Sequence, residues 1–143
     1  MIVSRSRTLG SAPEAVWAVV ADPAALPRWW PHIERVQGIT GDGWTAVMRS
    51  PRGRPVHADW RLVGHEPERS RAWELELEGT PFARILAERR VGVRLAPAGA
   101  GTEVLLELTQ RGRGWARFGG LILRRAAQRE LAEALERLDE ALR

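Results

Sequence analysis

The chain of 143 residues contains no cysteine, lysine, tyrosine or asparagine. Without cysteine there is no disulfide framework, thiol nucleophile, redox pair or thiolate metal ligand. Without tyrosine, one usual acid of small-molecule pockets is missing. The absence of lysine makes all 22 basic residues arginines, against 18 acidic ones, for a net charge of +4. Arginine does not titrate below very high pH, so a high isoelectric point overstates this small excess. Together with abundant Ala, Gly and Pro, the skew reads as a GC-rich coding bias rather than as a nucleic-acid signal. Long apolar runs are absent too. The longest, Ala15 to Ala21, is too short to span a bilayer, and Met1 to Gly10 lacks the apolar core of a signal peptide. The expected compartment is the cytoplasm.

What remains is 44% hydrophobic and 28% charged, the balance of one soluble domain over residues 1–143. At this length about 70% of the unfolded surface can be buried. Residues 2 to 9 read as a strand. Ser11-Ala12-Pro13-Glu14 reads as a capping box with proline in the first turn, opening a helix through about Ala21. A second short helix, Pro23 to Trp30, follows. From Ile33 to Arg111 the apolar period falls to two, and turn residues at Gly41-Asp42-Gly43, Pro51 to Pro55, Glu66-Pro67-Glu68, Gly79-Thr80-Pro81 and Pro97 to Gly101 cut six strands. Short turns imply an antiparallel meander. Trp73, Leu75 and Leu77 alternate with Glu74, Glu76 and Glu78, so one sheet face is dry and needs a cover. The final segment, Ala116 to Leu142, supplies one. Leu131, Ala134, Leu135, Leu138 and Leu142 form a helical stripe opposite Glu130, Glu133, Arg137 and Glu140. The expected class is α+β: a helix-grip fold, with a curved seven-stranded antiparallel sheet around a long C-terminal helix and two short helices after the first strand.

Ser11-Ala12-Pro13-Glu14-Ala15-Val16-Trp17, Ala21-Asp22-Pro23 and Leu26-Pro27-Arg28-Trp29-Trp30-Pro31, followed by the meander and long helix, resemble the START-like (SRPBCC) superfamily and its polyketide cyclase/dehydrase branch. The resemblance runs over essentially the whole chain. It implies the helix-grip fold. It also implies lipid carriage, ligand binding or aromatase/cyclase chemistry, between which only a site decides.

A ligand is expected between the sheet and the last helix, because Gly119 and Gly120 stand where a packed helix prefers bulk. An empty void of about 300 Å³ would cost on the order of 7 kcal/mol, so a pocket there should be filled by water, by collapsed side chains or by a ligand. Among seven tryptophans, Trp17 reads as core. Trp29, Trp30, Trp60, Trp73 and Trp115, with Phe118 and Ile122, are the expected ligand-binding residues. Arg89 shares the inward phase of Ile85, Ala87, Val91, Val93 and Leu95. It either meets a structural carboxylate, such as Glu14 or Asp22, or receives a ligand oxyanion. In a cyclase or dehydratase, Arg89 would stabilise an enolate and His32, structural or catalytic, would be the acid/base. His57 and Asp59 fall on the solvated phase. His32, His57 and His65 lack metal-ligand spacing, so neither metal nor cofactor is expected. Arg111 to Arg129 holds six arginines and no acid. This stretch is either a solvated helix face or a dock for an acyl-carrier or other acidic protein; it lacks the interleaved aromatics of a nucleic-acid site.

Overall fold

The computed structural model describes residues 1–114 and 119–143; the expected ligand contacts Trp115 and Phe118 lie outside the described residues. The elements are β1 (Ile2–Leu9), α1 (Pro13–Val20), a 3₁₀ turn (Pro23–Ala25), α2 (Leu26–Trp29), β2 (Ile33–Gln37), β3 (Gly43–Arg49), β4 (Pro55–Glu66), β5 (Ser70–Leu75), a second 3₁₀ turn (Pro81–Arg84), β6 (Leu86–Ala98), β7 (Gly101–Gly112) and α3 (Gly120–Ala141). All seven strands form one antiparallel sheet in the order β1-β7-β6-β5-β4-β3-β2. Consecutive strands from β2 to β7 are neighbours, as short hairpins require, and β1 closes onto β7. The sheet curves about α3, the expected helix-grip fold.

Register defines the inner face. Val3 stands opposite Leu108, and Leu108 opposite Val91. Val91 faces Trp73, Trp73 faces Leu62, and Trp60 pairs with both Leu75 and Trp44. These side chains share one side because strand side chains alternate. The stripe Ala127, Leu131, Ala134, Leu135 and Leu138 of α3 is buried against that side. The helix packs chiefly on β1, β7 and α2.

Four local expectations are corrected. Ala12, not Ser11, is the N-cap of α1, and no side chain caps it; Ser11 instead offers its carbonyl to the buried Thr102 hydroxyl at 2.8 Å. Ile85 does not point inward with Arg89. It ends the 3₁₀ turn at 54% exposure, and a register shift between Leu86 and Glu88 resets the phase. Ile122 is 75% exposed. It lies nine residues before Leu131, about half a helical circumference away at 3.6 residues per turn, whereas Leu123 lies in line with Ala127 and Leu131. Finally, Glu130 and Arg137 do not belong to the solvated face of α3; both reach inward to hold the site described next.

Candidate functional site

Four indoles form a continuous chain across the inner face. Trp29 and Trp30 of the α2 segment meet edge to face, with ring centroids 5.5 Å apart at 82°. Trp30 meets Trp73 of β5 at 6.3 Å and 76°, and Trp73 meets Trp44 of β3 at 5.9 Å and 62°. Tilted contacts of this kind set the positive ring edge on the negative face, each worth roughly 0.5–1.5 kcal/mol beyond area burial. All four rings are buried. Trp60, across from Trp44, is only half-buried. The structure thus brings together Trp29, Trp30, Trp60 and Trp73, and adds Trp44.

At the Trp30 end the chain is tied to an ion pair. The Arg89 guanidinium donates to both oxygens of Glu130, at 3.0 and 2.8 Å, and to Gln110 Oε1 at 2.6 Å. Trp30 Nε1 donates to the same Glu130 carboxylate at 3.2 Å. Arg137 completes the clamp by donating to the carbonyls of Trp30 and Pro27. Arg89 therefore finds its structural carboxylate on α3 rather than at Glu14 or Asp22, with Nη2 committed to both Glu130 oxygens and Nη1 to Gln110, and its charge is already neutralised by Glu130. Sequence reasoning put Glu130 on the polar face because helical spacing ranks positions by hydrophobicity alone; the Arg89 phase was the signal that a carboxylate had to turn inward.

At the Trp44 end lies Arg71, which sequence reasoning missed although it shares the phase of Trp73 and Leu75 on β5. Only 8% of Arg71 is exposed. Its Nη1 donates to His65 Nδ1 at 3.1 Å, and its guanidinium carbon sits 5.7 Å from the centre of the Trp44 ring. Burial pushes its pKa down, while the Asp22 charge acts the other way. His65 in turn lies against Trp17 of α1, at 5.4 Å between rings.

His32 is exposed, in a left-handed backbone conformation with φ 66° at the junction of α2 and β2. His57 and Asp59 face solvent, and Asp59 accepts from Thr45 at 2.6 Å. No hydrogen bond or ion pair among the described residues joins His32 to Arg89.

A family model described as polyketide cyclase/dehydrase and lipid transport matches residues 1–143, the whole chain. The chain belongs to this family. A START superfamily protein of Mycobacterium smegmatis superposes with a TM-score of 0.80 at 13% identity, covering 99% of this chain and 96% of that one. A Deinococcus radiodurans protein reaches 26% identity and a TM-score of 0.69, with 98% and 95% covered. One from Chromobacterium violaceum gives 17% and 0.75, with 99% and 96% covered. A search of the curated proteins finds no match.

Within this START-like frame, α3 leaves part of the inner face thinly covered. Met48, Val56, Trp60 and Leu62, inward on β3 and β4, are only half-buried. Gly120 is exposed, and a Cβ on it would meet no atom of the described residues within 4 Å. Two cavities among the described residues lie elsewhere. One, of about 370 Å³, crosses the outer face over Gly64, Ala72 and Gly92; the other, of about 880 Å³, flanks the turn between β4 and β5. Of the basic stretch, Arg111, Arg113, Arg124, Arg125 and Arg129 are exposed. Arg111 pairs with Glu88 at 3.4 Å, and Arg117 lies outside the described residues. No helix among the described residues is long and apolar enough to cross a membrane.

Proposed function

We propose that this START-like protein binds a hydrophobic small molecule, aromatic, polyketide-like or lipid, on the inner face of the sheet. The observation that carries the reading is the half-buried apolar row Met48, Val56, Trp60 and Leu62, on strands remote from the main packing of α3 and continuous with the buried indoles. Apolar surface left in water is worth about 25 cal/mol per Å² to whatever covers it, and an aromatic-lined concave surface suits a flat or chain-like apolar body. Trp60 and Trp73 would touch the ligand; Trp29 and Trp30 support them from α2.

Binding without chemistry is favoured over an aromatase/cyclase or dehydratase. The cation meant for an enolate, Arg89, is already held by Glu130, and the imidazole meant for proton transfer, His32, stands in water. Reaction needs both beside the substrate. Docking of an acyl-carrier or other acidic protein on the arginine stretch is compatible with carriage but has no geometric support beyond exposure.

The test is a titration with 1-pyrenebutanol, a neutral probe whose ring system accepts energy from tryptophan. Saturable transfer is expected, weakened at least fivefold in Trp60→Ala. A linear, non-saturating response in both proteins would overturn the proposal.

A further inference from the structure

Register puts four arginines at inward positions of the sheet: Arg5 and Arg7 on β1, Arg71 on β5 and Arg89 on β6. Three are accounted for. Arg7 pairs with Asp139 at 2.8 Å and Arg89 with Glu130 at 2.8 Å, while Arg5 is exposed to water. Arg71 is buried, yet no carboxylate among the described residues lies within 4 Å of it. Among the described residues its one hydrogen-bond partner is His65 Nδ1, which uses one of five guanidinium N–H groups. The Trp44 ring beneath it offers only its π face.

Two further donors on the same chain of rings are unsatisfied. Trp44 Nε1 and Trp29 Nε1 are buried and find no acceptor among the described residues, whereas most buried polar groups in native proteins are hydrogen-bonded. The orphaned groups of this face are thus all N–H donors, and one belongs to a fixed cation. The complementary group is an acceptor carrying negative charge.

We propose that Arg71 anchors an acidic group, a carboxylate or phenolate, at one end of the hydrophobic ligand. This rests on the binding reading above and specifies its ligand: an amphiphile whose acid meets Arg71 and whose apolar body runs along Trp73 and Trp60. The sequence offered this oxyanion role to Arg89; the geometry transfers it to Arg71, which no described carboxylate touches and on which Asp22 acts only through space.

The experiment compares 1-pyrenebutyrate with 1-pyrenebutanol, two probes of the same ring system that differ in charge, on wild type, Arg71→Gln, Arg71→Lys and Arg5→Gln at pH 8 and low salt. Wild type should bind the butyrate at least tenfold more tightly than the alcohol. Arg71→Gln should erase that preference with alcohol affinity within about twofold, Arg71→Lys should retain part of it, and Arg5→Gln should leave it intact. Should Arg71→Gln fail to fold, the wild-type Trp44 indole N–H resonance serves instead; it should move downfield with the butyrate, as an N–H donating to a carboxylate does, and should not move downfield with the alcohol. Equal affinity for the two probes, or a preference surviving in Arg71→Gln, overturns the anchor while leaving hydrophobic binding in place. Binding of neither probe overturns the hydrophobic reading itself.

Discussion

Three glycines illustrate how unlike the demands of single positions are. A Cβ on Gly101 would run into the Leu9 carbonyl, and one on Gly43 into that of Trp60. A Cβ on Gly92, in the middle of β6, meets nothing within 4 Å. Glycine inside a strand costs backbone entropy and packs nothing. Urea denaturation should therefore show Gly101→Ala destabilised by about 1–3 kcal/mol and Gly92→Ala stabilised by about 0.4–1 kcal/mol. A surface pair offers a second check. Arg49 donates to Glu34 at 2.6 Å across the β2–β3 pairing and holds its carboxyl below the usual range. Because the folded pKa is the lower one, the pair contributes above the ordinary carboxylate value and fades as pH falls through the folded one. An NMR titration should find Glu34 titrating below the ordinary glutamate value in wild type and moving up toward it in Arg49→Gln.

At the scale of elements, the Arg89–Glu130 pair joins β6 to α3 with both side chains about one-fifth exposed. Removing one partner leaves a charge, and for Glu130 also the Trp30 indole N–H, without its acceptor. Arg89→Met and Glu130→Leu should each destabilise by roughly 1–3 kcal/mol, and the double variant by less than their sum, in a denaturation cycle. Leu131→Ala, at the centre of the buried stripe, should cost about 2–5 kcal/mol. Most elements were legible because their periods are local. Alternation in β4 to β6 gave the inner face, and the spacing Leu131 to Leu138 gave the buried side of α3. What local periods do not carry is the phase slip at Leu86/Glu88, which turns Ile85 outward, and the inward turn of Glu130, a demand made by an arginine 41 residues earlier. Ile122 was misplaced by extending the apolar character of a segment rather than its angular position.

For the whole molecule, the fold followed from the order of elements and from the resemblance carried by the segment Ser11 to Pro31; the sheet and α3 bear out the first and the family match the second. The candidate site was legible only in part. Tryptophans are conspicuous in any sequence, so Trp29, Trp30, Trp60 and Trp73 are candidates from the sequence alone. Trp44 and Arg71 gain meaning only from neighbours that the curvature of the sheet brings to them. Which cation is free and which is neutralised is a property of the closed sheet and helix together, and no strand pattern encodes it. The account stands on the inner face of the sheet receiving an apolar guest. The most direct measurement is the indole region of a ¹H–¹⁵N spectrum, with signals from seven tryptophans, recorded during titration with 1-pyrenebutanol. The Trp60 and Trp73 signals should move together to saturation; indole signals unmoved at the solubility limit of the probe would contradict the account.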